Sequence, residues 1–327
     1  MNSLSDAYNR VHNYLRISLT DGCNFRCIYC TPEGNIRCFS RHELMTSDEI
    51  FEIAKIFTDN GTRKIRLTGG EPLARSDFAG IVEKLSRLPV ELTLTTNGVL
   101  LHKYIDVLKE NGVKSVNISI DSLDGNRFQL ITKRNALSQV WENILLCIKE
   151  NFHVKLNVVV MNGINDDEIP EFISLTHNLP IHVRFIEFMP FSGNAWEIDR
   201  VVTMEEMLTA IEERFSINKI QDYQHDTAKK FKVQGFKGTF AFITTMSRPF
   251  CADCNRMRLT ADGKMKNCLF GKEEFDLLGA LRRGEDIRPV ISECLMRKHE
   301  KQGGRFENYK KPEFIYLEDR SMVKIGG

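Results

Sequence analysis

Six short β-rich runs alternate with helical stretches between Leu15 and about Met189. The runs are Leu15–Leu19, Lys64–Leu67, Glu91–Thr95, Ser115–Ile120, Val154–Val160 and Val183–Phe188. Between them lie the helical patterns Ser47–Asn60, with an acidic first turn, Asp77–Leu88, Ile105–Asn111, Ala136–Glu150 and Asp166–Leu179. Asn60-Gly61 and Asn111-Gly112 are helix stops. A strand followed by a helix of this length returns parallel to itself. The fold class is therefore α/β with a parallel sheet. Six such units make either a doubly wound sheet or an incomplete barrel, and periodicity does not choose between them.

Unusual residues cluster at the ends of these strands. Strand one leads into Cys23, Cys27 and Cys30, and strand two into Thr68-Gly69-Gly70-Glu71-Pro72. Strand three leads into Thr95-Thr96-Asn97-Gly98. Ser119-Ile120-Asp121-Ser122 closes strand four, and strand six leads into Glu187-Phe188-Met189-Pro190. Turn chemistry accounts for each stretch alone. Their common position at the carboxyl ends of parallel strands is where α/β proteins gather functional groups. Thiolates suit zinc or an iron–sulfur cluster. A structural zinc site is closed by four ligands, and a cubane cluster usually has four cysteines. Three thiolates on one loop would leave one iron open to a ligand that is not protein.

The pattern changes after Pro190. Val201–Phe215 reads as a helix, Gln221–Gly238 as polar and loop-rich, and Thr239–Thr245 as a β-type run. Asp262-Gly263 is a hairpin signal, and a helical segment is expected near Glu274–Arg283. This tail is expected to form a small antiparallel extension against the barrel opening. The chain then divides into residues 8–200 and 201–327. The tail carries a second set of three, Cys251, Cys254 and Cys268. As zinc ligands these need a fourth partner, for which Cys294 or His299 is available; spacing alone serves zinc and iron equally. Arg256 and Arg258 alternate on a short extended segment and so point to one face beside the metal. Guanidinium forks match phosphate geometry, which favours a second cluster with an anionic ligand. No Gly-rich phosphate loop ending in Lys-Ser/Thr is present, so a nucleotide would be held by scattered cations such as Arg16, Arg66 and Lys155.

Lys plus Arg number 45 against 44 Asp plus Glu. A chain with so little net field does not imply duplex nucleic acid as a partner. No apolar run reaches membrane-spanning length, and Met1 to Arg10 has neither a signal core nor a basic amphipathic presequence. Nine cysteines, six of them in two tight sets, fit a reducing compartment better than a disulfide framework. A cytoplasmic location is expected.

The first cysteine loop, Arg66-Leu67-Thr68-Gly69-Gly70-Glu71-Pro72-Leu73, Arg184-Phe185-Ile186-Glu187-Phe188-Met189-Pro190, the segment from Pro249 to Thr260 and the closing Ile325-Gly326-Gly327 together resemble the GTP 3′,8-cyclase family of radical S-adenosylmethionine (radical SAM) enzymes. The resemblance runs from about Tyr8 to Gly327. It implies an incomplete triosephosphate-isomerase-type (β/α)6 barrel. It implies two 4Fe–4S clusters, on Cys23, Cys27 and Cys30 and on Cys251, Cys254 and Cys268. Tyr29, Gly70, Ser119 and Met189 match SAM contacts. Arg16, Arg66, Thr95, Lys155, Arg256, Met257 and Arg258 match GTP contacts, and Gly326 and Gly327 a tail that reaches the active site. The implied reaction cyclises GTP at the start of molybdenum cofactor synthesis. The implied partners are a reductant protein, a downstream cyclic pyranopterin monophosphate synthase and a second copy of the chain. Thr31 and Asn162 depart from the usual residues, and Cys38 is an extra thiol. A peptide-modifying radical SAM enzyme and a zinc or nucleotide-binding module are the alternative readings.

Overall fold

A computed structural model describes residues 4–31, 37–306 and 320–327. The six expected strands form within one residue of the predicted bounds. They are β1 (Tyr14–Ser18), β2 (Lys64–Thr68), β3 (Glu91–Thr96), β4 (Ser115–Ser119), β5 (His153–Val160) and β6 (His182–Glu187). The connecting helices are α1 (Ser47–Asp59), α2 (Phe78–Leu85), α3 (Ile105–Glu110), α4 (Gly125–Thr132), α5 (Leu137–Lys149) and α6 (Ile169–Leu175). Helix α1 starts where Thr46 and Glu49 form a reciprocal capping box, and it buries Ile50, Ile53, Ala54 and Phe57. Helix α4 escaped the sequence reading. Asp124 caps it and Lys133 ends it in a left-handed conformation, but Phe128, Ile131 and Thr132 are its only buried residues, too few for a clear helical stripe.

The C-terminal region departs from the expectation in two respects. Its strands are β7 (Ile217–Lys219), β8 (Ala228–Val233), β9 (Thr239–Ile243), β10 (Arg256–Leu259), β11 (Lys264–Lys266) and β12 (Phe275–Asp276). The turn at Asp262-Gly263 joins β10 and β11 as an antiparallel hairpin, and β7 and β8 add to β9 antiparallel. However, β9 pairs parallel with β6, and β10 parallel with β1. The tail therefore extends the main sheet at both edges instead of standing apart from it. Leu15 pairs with Met257 and Ile17 with Leu259, and all four side chains are fully buried. Apolar matching across 240 residues of sequence decides this pairing, and no local signal carries it. Strand β8 lies in the stretch read as a loop; its three lysines suit a strand near a sheet edge.

The result is one twelve-stranded, mostly parallel sheet in the order β12-β11-β10-β1-β2-β3-β4-β5-β6-β9-β8-β7, and it is not closed. Along β5, Val154, Leu156, Val158 and Val160 are buried, as are Val183 and Phe185 on β6. They join the apolar side chains of α1, α2, α5 and α6 in one core. Each fully buried side chain of this size contributes about 1.5–3 kcal/mol. The remaining helices are α7 (Met204–Glu212), α8 (Leu277–Arg282), α9 (Arg288–Met296) and α10 (Met322–Ile325). The alternate residues, on the opposite face of the sheet, line a cavity of about 440 Å³.

Candidate functional site

The first thiol loop leaves β1 and is held by main chain from its neighbours. Gly70 N donates to Thr20 O at 2.6 Å and Glu71 N to Gly22 O at 2.8 Å. A Cβ on Gly70 would stand 2.3 Å from Gly22 O. The approach of one loop to another therefore itself excludes a side chain at this position, alongside the SAM contact that the resemblance implies. Glu71 is fully buried and accepts from Thr96 Oγ1 and Asn97 N, both at 2.7 Å, and from Leu73 N at 3.0 Å. Burial pushes its carboxyl up to about 7 against the pull of those three donors. It ties the loops after β2 and β3 together. Asn97 then reaches Asn24 Oδ1 at 2.6 Å and Cys23 Sγ at 3.9 Å.

The residues expected to contact SAM are linked through this framework. Tyr29 OH donates to Asp121 at 2.7 Å, and Asp121 follows Ser119 at the end of β4. Asn194 Nδ2 donates to Tyr29 O at 3.1 Å and to Met189 O at 2.9 Å. Met189 also lines the cavity.

Cys251, Cys254 and Cys268 open into the same cavity from the other side. Arg10 fixes their loop by donating to Cys251 O at 2.9 Å and to the carbonyls of His299 and Glu300. Neither proposed zinc partner joins them: Cys294 is buried in the apolar core and His299 is exposed. Among the described residues, no three His, Cys, Asp or Glu side chains are grouped as ligands of a single metal ion. A cluster that binds each thiolate through a different iron does not need that grouping.

Both sets fit iron–sulfur clusters on other grounds. All six thiols are free and half-buried. Main-chain N–H groups point at sulfur, Phe25 N at 3.4 Å from Cys23 Sγ and Gln302 N at 3.3 Å from Cys251 Sγ. Burial pushes the thiols of Cys23 and Cys30 up to about 11 and about 12, so their thiolates need a nearby positive charge. The irons of a cluster supply it. At Cys254 burial also opposes ionisation, but Lys298 and Arg256 outweigh it and hold the thiol below its ordinary value.

The cavity wall is a ladder of cations. Arg16 lies directly between Arg258 and Arg66 in register, and Asn157 pairs with Arg184. Like charges on adjacent strands repel. Burial, then neighbouring cations, push Lys155 down to about 8 and Arg184 to about 9. Burial and Arg258 likewise lower Arg16. The buried Nε atoms of Arg16 and Arg184 have no hydrogen-bond partner. Unpaired buried donors in a positive field are what a bound polyanion would satisfy. Tyr14, Lys64, His182, Arg184 and Lys230 also line this wall, and the sequence reading gave none of them a role. Their signal was present: in β1, β2, β5 and β6 polar residues alternate with apolar ones.

Of the other expected nucleotide contacts, Arg256 lines the cavity, and Thr95 accepts from Arg66 at 3.3 Å. The Met257 side chain lies in the core, away from the cavity, and leaves only its main chain for contact. The tail is drawn in. Arg320 grips Asp262 at 2.7 and 2.8 Å and Glu274 at 2.6 Å. Val323 N reaches Cys30 O at 3.4 Å, Arg258 donates to Gly326 O at 2.6 Å, and Gly327 lines the cavity. Asn162 lies elsewhere, bonded to Asp199 O, and Cys38 is exposed.

The depressed Lys155 has a measurable sign. The unfolded chain keeps this proton up to about pH 10.5, whereas the folded protein releases it near 8. Between those values the unfolded state binds more protons, so stability rises with pH, by up to about 3 kcal/mol from this group. Lys155→Met is expected to flatten that rise, read as the urea midpoint against pH. An unchanged slope would show that the lysine is not desolvated by this wall.

Comparison with known proteins agrees with this geometry. Residues 17–176 match the model of the radical SAM superfamily, and residues 181–303 that of Molybdenum Cofactor Synthesis C. The mitochondrial GTP 3′,8-cyclase of Arabidopsis thaliana is 43% identical over 99% of this chain and 83% of that protein. The GTP 3′,8-cyclase of Desulforamulus reducens is 40% identical over 98% of this chain and 99% of that protein. Molybdenum cofactor biosynthesis protein 1 of Mus musculus is 42% identical over 99% of this chain, which spans about half of that protein's length (51%). Streptococcus suis SuiB bound to S-adenosylmethionine shares the fold, with a TM-score of 0.65 at 14% identity over 97% of this chain and 73% of that one. Fold and thiol loop thus define a radical SAM protein. The chain belongs to the GTP 3′,8-cyclase family.

Proposed function

We propose that the protein converts GTP to 3′,8-cyclo-7,8-dihydro-GTP, the first step of molybdenum cofactor synthesis, with SAM and two 4Fe–4S clusters. The observation that carries this reading is the cation-lined cavity with one thiol set on its wall and the tail bonded to the loop of the other. When bound, the first cluster and SAM supply a hydrogen-abstracting 5′-deoxyadenosyl radical. The protein's own part is to bind and orient. Arg16, Arg66, Lys155 and Arg184 hold the triphosphate. Arg256 and Arg258 join them on the triphosphate, and the open face of the second thiol set meets the guanine. Tyr29, Gly70, Ser119 and Met189 border the SAM position. Gly326 and Gly327 close the wall between the first thiol loop and the nucleotide, so that C3′ is presented to SAM and water is kept out.

The sheet is read as an incomplete (β/α)6 barrel, because residues of β1, β2, β4, β5, β6 and β10 line a single cavity. Residues 8–200 then form the SAM-binding part and 201–327 the second-cluster and substrate part, joined through β9 and β10. The partners are GTP, a reductant protein, a downstream cyclic pyranopterin monophosphate synthase and a second copy of the chain. The setting is cytoplasmic. No helix among the described residues is long and apolar enough to cross a membrane.

Anaerobic turnover of GTP deuterated at C3′ tests the reading. Deuterium is expected in 5′-deoxyadenosine and the cyclised nucleotide as product. SAM cleavage without deuterium transfer would remove GTP C3′ as the reacting position, and no cleavage by iron-replete protein would remove the catalytic reading.

A further inference from the structure

Lys298 is 4% exposed, and among the described residues no carboxylate pairs with it. A buried ammonium normally has a counter-charge. This one donates to the carbonyls of Asn267 and Arg256, the latter at 3.2 Å, and its Nζ lies 3.8 Å from Cys254 Sγ. Asn267 precedes Cys268, and Arg256 lies two residues after Cys254. The two carbonyls therefore aim the ammonium at the base of the second thiol set. Apart from its field on the Cys254 thiol, the reading of that set as an iron–sulfur site leaves Lys298 without a part, since it does not line the substrate cavity.

We propose that Lys298 is the fixed counter-charge of the second cluster and sets its reduction potential above that of the first. It acts as a positioning residue on the electrostatics of the site and touches no substrate. One-electron reduction adds one negative charge to a cluster. A buried cation a few ångströms from a ligating sulfur stabilises the reduced form more than the oxidised one, and low local polarity strengthens the effect. The first set differs: Arg26 donates to Cys23 O, but its guanidinium is exposed and screened by solvent, whereas the acidic neighbours of the set are buried. The carboxylate of Glu71 is one side chain removed from Cys23 through Asn97, and Asp121 is bonded to Tyr29 between Cys27 and Cys30. Acidic neighbours on one set and a cation on the other separate the two potentials in the direction that keeps electrons on the substrate-binding cluster.

The inference rests on the cluster reading of the second set, and the two are tested apart. Iron, sulfide and zinc content of the wild-type protein tests the cluster; zinc on the second set overturns both. Reductive titration with dithionite and mediators, followed by electron paramagnetic resonance, tests Lys298. It is run on the holoprotein and on a full-length variant with Cys23, Cys27 and Cys30 replaced by alanine. Lys298→Met is expected to lower the midpoint of the second cluster by about 59 mV or more, equivalent to about tenfold in the reduction equilibrium. Lys298→Arg is expected to keep it near the wild-type value. An unmoved midpoint in Lys298→Met, or a fall of the same size in Lys298→Arg, overturns the proposal. If Lys298→Met folds but takes up no second cluster, recovery of uptake in Lys298→Arg supports the counter-charge. Failure of both variants to take it up assigns the side chain a role in shape alone and overturns the proposal.

Discussion

Arg258→Ala is expected to abolish most GTP turnover while SAM binding and iron content stay unchanged. Arg258 has two tasks that no other side chain duplicates. It is one of three arginines side by side on β10, β1 and β2, and it holds the tail through Gly326 O at 2.6 Å. Loss of one partner of a buried charge-assisted contact costs about 2–5 kcal/mol, which is roughly thirty-fold to several thousand-fold in kcat/KM. Arg256→Ala, at the rim against Tyr14 and Phe250, is expected to act in the same direction with a smaller loss. The fold is expected to tolerate both, because removing a guanidinium relieves repulsion in the ladder. Unchanged turnover in both variants would contradict the assignment of this wall to the nucleotide.

Gly70→Ala is the second large effect, and it falls on the protein itself. The added methyl would meet Gly22 O at 2.3 Å, Gly22 C at 2.6 Å and Asp21 O at 2.9 Å, all main-chain atoms. Overpacking costs about 1–3 kcal/mol where side chains can yield; here the obstacle is the loop that carries Cys23. The expected outcome is loss of iron from the first set with the second set still loaded, seen as a fall in iron per chain and the disappearance of one paramagnetic signal. Wild-type iron content in Gly70→Ala would mean that the cysteine loop can shift without cost.

The two predictions mark where sequence and structure told different things. The six central strands were readable because each is a short β-rich run bounded by turns, a local property. That Gly69-Gly70-Glu71-Pro72 mattered was equally readable, but the loop contacts it makes were not. Glu71 bonds to residues of the next strand's loop, and Gly70 is pressed against the previous one; such contacts exist only after β1, β2 and β3 align. The cations divide in the same way. Arg16, Arg66 and Lys155 stand out in the sequence as charges among apolar neighbours, and Lys64, His182 and Arg184 carry the same alternation without a further mark. Which face of a strand is concave depends on the pairing order, and the alternation alone does not reveal it. The parallel joining of β10 to β1 is the extreme case.

That joining also sets a timetable. Arg10 and Cys251, whose contact fixes the second thiol loop, are 241 residues apart. At about 5–20 residues per second of synthesis, roughly ten seconds to a minute separate the emergence of the two. During that interval β1 has one unpaired edge, an invitation to wrong pairing. The first thiol loop takes its main-chain braces from the loop after β2 and from α4, with Asn194 and Val323 added later, while the second waits for both ends of the chain. Iron delivered to a growing chain therefore finds the first pocket largely braced well before the second comes into being, and the tail that joins the two arrives last.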